Sequence, residues 1–267
     1  MILTANEFHS KGRLLPCKVK LNTSWQGHAL DCSSLHLQSI PKCLDIPASC
    51  EHITGLDLSF NKISVIASGE FINYTNLVVL DLSHNPIKIF QDGLFKGLYK
   101  LRQLILESNV WYDRDEEIQK GLAYGDNLFK DLPELKTLDI SDSSTNVTQL
   151  FERALCSLPS DIEAMNMANI FYSQKLSRSI VILTGKTSQC LKHTRLKKLN
   201  IDNNSIAIVK AAFLFNLLHL EVLTMRRNKI LGEREAIFAF PFLSRLKILD
   251  LGCQNWPGVC GEYEKNP

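Results

Sequence analysis

The 267-residue chain lacks long hydrophobic runs and short catalytic signatures. No stretch approaches the roughly 20 apolar residues that a membrane helix needs, and the first 15 residues are too polar for a signal-peptide core. Dinucleotide, P-loop, metalloprotease and esterase motifs are all missing. We therefore expect no enzyme, no metal and no cofactor, with any signal peptide or membrane anchor in segments outside these residues.

An excess of one charge sign is also missing, because 30 Lys and Arg face 28 Asp and Glu. Such a balance does not favour nucleic acid or an anionic membrane as a partner. Local charge is uneven, since residues 190–234 hold nine basic and three acidic side chains. The candidate contacts for an anionic ligand are Lys197, Lys198, Arg226 and Arg227. The alternative is that these side chains pair with nearby acids, such as Asp202 with Arg226.

Cys-x-x-Cys pairs, which zinc sites use, do not occur either. The eight cysteines are Cys17, Cys32, Cys43, Cys50, Cys156, Cys190, Cys253 and Cys260. An even number without zinc-ligand spacing favours disulfides, and hence an oxidising compartment. Four glycosylation sequons favour the same compartment, with acceptors at Asn22, Asn73, Asn146 and Asn203.

A repeat is the dominant feature that the chain does contain. Residues 53–63 and 77–87 both match the pattern L-x-x-L-x-L-x-x-N-x-L in full, 24 residues apart. Further starts follow in the same phase, and the complete set is Ile53, Leu77, Leu101, Leu135, Ile162, Leu196, Leu220 and Leu246. The pattern predicts an α/β leucine-rich-repeat solenoid (a horseshoe) with a parallel concave sheet and an irregular convex side.

Each position of the repeat has an expected role. Leucines at positions 1, 4 and 6 point inward from a short strand, and the position-9 asparagine caps the backbone of the neighbouring turn. Position 5 lies on the concave face and reads Asp57, Asp81, Ile105, Asp139, Asn166, Asn200, Thr224 and Asp250. This column is either a site for cations or a basic ligand, or a consensus residue hydrogen-bonded along the sheet.

A second buried column is expected on the convex side, six residues before each following start. It contains Phe71, Phe95, Phe129, Cys156, Cys190, Leu214 and Phe240. Cys156 and Cys190 share one phase in adjacent turns, where stacked positions lie about 5 Å apart, so we predict a disulfide between them. The alternative is two unpaired buried thiols.

The repeats divide the chain into three parts. Residues 1–52 form an N-terminal cap, with Cys17–Cys32 and Cys43–Cys50 as the sequence-local pairing among three possible ones and residues 35–41 as a degenerate zeroth repeat. Residues 53–252 form the repeats, and extra residues near 111–127 and 171–193 are expected to leave the coil as loops. Residues 253–267 form a truncated last repeat or an improvised C-terminal end, in which Cys253 and Cys260 close a local loop.

One turn offers an apparent hydrolytic trio, Asp81, Ser83 and His84. Asp81 and Ser83 alternate along one strand and its exit turn, and the repeat pattern already accounts for both. We therefore expect a binding surface and not a catalytic site.

The chain resembles the ectodomains of Toll-like receptors from Cys17 to about Leu251. The most specific part is the entry, where Cys17 and Cys32 precede residues 37–41 (LQSIP) and 56–61 (LDLSFN). The resemblance implies a single-pass receptor, facing the extracellular space or the endosomal lumen. It also implies that the chain binds microbial products or helper proteins and forms receptor homo- or heterodimers.

Cys43 and Cys50 depart from the receptor pattern, which favours an invertebrate or divergent member. Similar repeats also build secreted matrix or adhesion proteins and soluble antigen receptors. These are the competing interpretations.

Overall fold

The fold is that of a computed structural model, which describes residues 17–22, 27–43, 49–109, 123–143, 147–171, 181–230 and 240–254. Asn146 and Cys260 lie outside the described residues, as do residues 111–122 and 172–180 of the two expected loops. The backbone of Asn22 is described, but the burial of its side chain is not.

A ten-stranded sheet runs through the molecule in the order β1-β2-β3-β4-β6-β8-β9-β11-β13-β14. The β1–β2 pair is antiparallel and every other pair is parallel. The strands are β1 (Lys18–Asn22), β2 (Gly27–Asp31), β3 (Ile53–Asp57), β4 (Val79–Asp81), β6 (Gln103–Ile105), β8 (Thr137–Asp139), β9 (Ala164–Asn166), β11 (Lys198–Asn200), β13 (Val222–Thr224) and β14 (Ile248–Asp250).

Strand alternation explains which side chains form the core. Position-4 residues such as Leu56, Leu80 and Leu104 are at most 2% exposed, whereas the residues on either side of them in positions 3 and 5, apart from the buried Gly55, are partly exposed on the concave side. Each position 4 is paired with the next position 4, so all eight predicted starts lie in one register. The predicted solenoid is confirmed.

The N-terminal cap contributes a strand of its own to this sheet. In β2, Ala29, Leu30 and Asp31 pair with Gly55, Leu56 and Asp57 of the first repeat. The zeroth strand therefore lies earlier than residues 35–41, where the sequence placed a degenerate repeat. Those residues instead follow the strand as its turn, where the N–H groups of Leu35 and Leu37 donate to Asn61 Oδ1.

The convex side carries short elements between the sheet strands. The second sheet pairs β5 (Ile89–Phe90) with β7 (Ala123–Tyr124), and the third pairs β10 (Val181–Leu183) with β12 (Ile206–Val209). Three short helices are α1 (Val147–Glu152), α2 (Gly185–Ser188) and α3 (Ala211–Leu214).

These elements correct the expected loops. Residues 123–127 and 181–193 do not leave the coil, because β7 and β10 each hydrogen-bond to a strand of an adjacent turn. The buried Tyr124 and Leu183 show why: each supplies an apolar side chain to the core.

The convex column holds for most of its length. Phe71, Phe95 and Phe129 are completely buried, Leu214 is buried, and Phe240 is half-buried against the core. Cys156 differs, because its side chain is exposed and Leu155 beside it fills the core. A 3-10 turn over Ala154–Ser157 shifts the inward direction by one residue.

Three disulfides join the pairs that the sequence favoured. Their Cα atoms are 4.4 Å apart in Cys17–Cys32, 5.3 Å in Cys43–Cys50 and 4.3 Å in Cys156–Cys190. Cys253 is also disulfide-bonded, while Cys260, its expected partner, lies outside the described residues. Two bonds staple the cap and one links two adjacent convex turns.

Candidate functional site

Buried asparagines hold the turn that follows each strand. The Asn85 amide nitrogen donates to the backbone oxygens of Leu58 and Leu82, at 2.9 and 3.1 Å, and its Oδ1 accepts from the Ile63 N–H at 3.1 Å. Asn61, Asn109, Asn204 and Asn228 occupy the same position, and the amide nitrogen of each donates to a backbone oxygen of the preceding turn. The predicted cap of the neighbouring turn is confirmed at these five asparagines, whereas Ser143, Ile170 and Gln254 occupy position 9 in the other three repeats.

The acidic side chains at position 5 accept hydrogen bonds within the same turns. Asp57 Oδ1 accepts from the backbone N–H and the hydroxyl of Ser59 at 2.9 and 2.7 Å, and Asp139 bonds Ser141 in the same way. Equivalent bonds to the N–H two residues later are made by Asp31, Asp81, Asn166, Asn200 and Asp250. These contacts favour the structural interpretation of the column.

The residues of the apparent hydrolytic trio make turn contacts as well. Asp81 accepts from the Ser83 N–H at 2.8 Å, and the ring of His84 stacks on Phe60 with centroids 4.1 Å apart. Ser83 is thus bonded to Asp81, the residue that would have to orient a base in a triad.

A column of left-handed residues forms the edge of the concave face, and we call it the rim. It consists of the position-8 residues Ser34, Phe60, His84, Ser108, Asp142, Asn169, Asn203, Arg227 and Cys253, whose φ angles lie between 52 and 58°. Asn, Asp and His tolerate this conformation better than bulky residues. Phe60 is a bulky residue with φ at 55°, so its backbone is strained. Its side chain is 56% exposed and adds an apolar surface to the rim.

A shallow hollow of about 330 Å³ opens on the concave face of the cap strand and the first three repeats. It is lined by Ala29, Gly55 and Val79 in three successive strands, by Gln103 in the next strand and by the core leucines Leu30 and Leu56. Asp31, Asp57, Asp81 and Ile105 line the side toward the rim. The volume falls at the lower end of the range of about 300–1,000 Å³ typical of ligand pockets.

Two carboxyl groups on this face are partly desolvated. Burial raises the pKa of Asp81 above its ordinary value, while the hydrogen bonds from Ser83 oppose the shift. Burial also raises the pKa of Glu107, and the nearby charge of Asp139 adds to the increase. Both groups therefore take up protons more readily than free carboxylates.

The candidate ligand residue Lys197 belongs to a charge ladder at the start of the strands. Position 2 alternates in sign through Lys136, Glu163, Lys197, Glu221 and Lys247. Glu163 lies 4.0 Å from Lys136 and 3.1 Å from Lys197, and Glu221 lies 2.6 Å from Lys247. Lys247, followed by Lys197, lowers the pKa of Glu221. Aligning position 2 of the repeats would have revealed this ladder from the sequence.

The other three candidate residues do not converge on one point. Lys198 is exposed at position 3 of β11, whereas Arg226 and Arg227 follow β13 at positions 7 and 8. Arg226 Nε is 3.8 Å from Asp250, and its backbone N–H donates to Asp202 at 2.7 Å. Lys198 and Arg227 thus lie at opposite ends of neighbouring strands.

Two of the sequons are on described surface. Asn73 is exposed on a convex turn, beside Tyr74, whose buried hydroxyl donates to Pro41. Asn203 is exposed on the rim. The two asparagines therefore present their side chains to different sides of the coil.

The described residues contain neither a membrane-spanning helix nor a cluster of metal ligands. No helix in the described part of the chain has the length and apolar character to span a bilayer. Within the same residues, no group of three or more His, Cys, Asp or Glu side chains is arranged to hold a metal ion.

Comparisons with known proteins agree with this architecture. The Leucine rich repeat family matches residues 51–110. Toll-like receptor 7 of Mus musculus is 26% identical over 95% of this chain and 23% of its own length. Osteomodulin of Bos taurus is 28% identical over 81% of this chain and 50% of its own. This chain thus spans a quarter to a half of these relatives.

A solved structure shows the same fold at lower sequence identity. Human 5T4 (trophoblast glycoprotein) is 19% identical, with a TM-score of 0.64 over 90% of this chain and 81% of that one. The relatives include both receptors and secreted repeat proteins, and the three described disulfides belong to an oxidising, extracellular setting. The chain is a leucine-rich-repeat protein.

Proposed function

We propose that this chain is the ligand-recognition segment of an innate immune receptor, and that its concave face binds a microbial product or a helper protein. The observation that carries the proposal is the hollow between the cap and the third repeat. Its lining combines position-3 and position-5 residues of four adjacent strands with the core leucines Leu30 and Leu56. Rigid strands position this surface, which favours specific recognition.

The neighbouring rim supports the same surface. Phe60 exposes an aromatic ring next to His84, and the two rings together offer a flat apolar patch to a partner. Exposed aromatic side chains are enriched where proteins bind one another. Asp57 and Asp81 supply charge beside the patch, so a partner with both apolar and basic groups fits this end of the molecule best.

The receptor role rests on the likeness to Toll-like receptor 7, which extends over 95% of this chain. It rests also on the cap sequence that resembles such receptors. In this proposal the protein faces the extracellular space or the endosomal lumen and acts as a homo- or heterodimer. Its membrane helix and signalling domain belong to the longer protein.

A secreted matrix protein is the second candidate, because osteomodulin is as similar to this chain in identity. The complete transcript separates the two. A membrane helix followed by an intracellular Toll/interleukin-1 receptor domain supports the receptor. A stop codon after a secreted C-terminal cap supports the matrix protein instead.

A binding screen tests recognition itself. Immobilised chain is exposed to lipopolysaccharide, a lipopeptide, single-stranded nucleic acid and candidate helper proteins at two salt concentrations. Lys198→Glu changes an exposed concave residue, whereas Lys197→Glu changes one that already pairs with Glu163. A ligand of the basic region loses affinity in the first variant, and unchanged binding removes that region from consideration.

A further inference from the structure

The sequon at residues 203–205 lies where a glycan would alter the concave surface. Asn203 is exposed on the rim, with φ at 55°. Its backbone N–H donates to the Arg226 oxygen at 2.8 Å, and its Nδ2 donates to Asn169 Oδ1 at 3.3 Å. The acceptor side chain is therefore accessible on a backbone that the sheet holds in place.

The chemistry of N-glycosylation is compatible with these contacts. The Asn203 amide nitrogen attacks the anomeric carbon of a lipid-linked oligosaccharide diphosphate. A C–N bond forms, the sugar–phosphate bond breaks, the lipid diphosphate leaves, and the amide loses one proton. Because Nδ2 keeps its second hydrogen, the hydrogen bond to Asn169 is retained in the product.

The position of Asn203 differs from that of Asn73, the other sequon acceptor with described side-chain burial. A glycan on Asn73 would project from a convex turn, away from the sheet. One on Asn203 would stand between Asn169 and Arg227, each about 5 Å away at the spacing of adjacent strands. N-linked sugars are bulky and hydrophilic.

We propose that Asn203 carries an N-linked glycan that shields the rim around Arg226 and Arg227. This inference rests on the proposed function in assigning ligand binding to the concave face. The glycan covers the rim of the sixth and seventh repeats and leaves the hollow between β2 and β6 open to a protein or lipid partner. The predicted ligand contacts Arg226 and Arg227 and the predicted glycosylation acceptor Asn203 thus lie on one surface. In this proposal the glycan occupies that surface.

Site occupancy is measured first, on the full chain secreted from animal cells. Treatment with peptide N-glycosidase in heavy-oxygen water converts a glycosylated asparagine to labelled aspartate, which peptide mass spectrometry locates. Ser205→Gly removes the sequon, and glycine suits the backbone because Ser205 has φ at 54°. We expect label at Asn203 in the parent and none in Ser205→Gly, with Asn73 as the internal reference. Unlabelled Asn203 in folded, secreted protein overturns the proposal.

Shielding is measured with heparin as an anionic probe. Ser205→Gly is expected to bind heparin about five-fold more tightly than the glycosylated parent, the effect of uncovering an exposed cation. Arg227→Glu should reverse that gain in the Ser205→Gly background and leave the glycosylated parent unchanged. Equal loss from Arg227→Glu in both backgrounds contradicts shielding.

Neither measurement requires the natural ligand. Failure of the microbial-product screen would therefore count against the proposed function alone, while an unoccupied Asn203 would count against the shield alone.

Discussion

The buried asparagines allow a graded test of how the repeats are held together. Asn61, Asn85 and Asn109 are all at most 5% exposed and occupy one position, yet they accept different numbers of hydrogen bonds. Asn61 Oδ1 accepts two backbone N–H groups, those of Leu35 and Leu37. Asn85 Oδ1 accepts one, whereas Asn109 Oδ1 is buried and has no partner among the residues that the structure describes.

Truncation to alanine therefore leaves two part-buried N–H groups without their acceptor at Asn61, one buried N–H group at Asn85 and none at Asn109. The carbonyl oxygens keep a hydrogen-bond donor after a single truncation. Leu58 O accepts from both Asn61 and Asn85, and Leu82 O accepts from both Asn85 and Asn109. At about 1–3 kcal/mol for each orphaned N–H, and about 1 kcal/mol for the lost amide bonds, we expect losses near 5, 3 and 1 kcal/mol.

Urea unfolding of the disulfide-intact protein, followed by circular dichroism, gives the three free energies of unfolding. Asn127→Ala serves as the control, because that side chain is exposed and makes one long bond to Asp92 at 3.4 Å. It should change stability by less than about 0.5 kcal/mol. Equal losses in the three buried variants, or the largest loss in Asn109→Ala, would refute the hydrogen-bond account.

Three other perturbations have defined outcomes. Replacing Cys156 and Cys190 together by serine and alanine should cost about 3–4 kcal/mol in urea unfolding, because their bond closes a 34-residue loop; no loss would contradict the loop argument. Gly97→Ala should destabilise by more than about 1 kcal/mol, since Gly97 has φ at 100° and a Cβ would lie 2.6 Å from Ile72 Cα, and unchanged thermal stability would show that the turn can shift. Asp81→Asn should raise the free energy of unfolding at pH 7, because burial raises the folded-state pKa of Asp81 and so disfavours its charged form. The gain should disappear as the pH falls below the ordinary pKa of aspartate, where the carboxyl group is protonated in both the folded and the unfolded state. A gain that persists in acid would point to another cause.

The strands could be predicted from the sequence because one residue class recurs at fixed positions. Leu56, Leu80 and Leu104 must all point inward, and a slip of one residue would expose each of them. The Cys156–Cys190 pairing followed from the same phase. The exposure of Cys156 could not be predicted, because the local 3-10 turn over Ala154–Ser157 changes which residue points inward.

The convex side was less predictable, for a physical reason. Its short strands β7 and β10 are only two and three residues long, too short to show a period. They form because a neighbouring turn offers backbone partners, which a single sequence does not display. The contact between Phe60 and His84 was likewise hidden, although their common position 8 placed them in adjacent turns.

A matched pair of arginine substitutions tests the concave face directly as the recognition surface. Val79→Arg places a bulky charge in the hollow, and Ile89→Arg places the same charge on the convex sheet of the same repeat, where Ile89 is 61% exposed. Both variants are compared with the parent for binding of lipopolysaccharide, lipopeptide and helper proteins by surface plasmon resonance. We predict at least a ten-fold loss for Val79→Arg, or about 1.4 kcal/mol, and no change for Ile89→Arg. Loss of binding in Ile89→Arg with full binding in Val79→Arg would contradict the account.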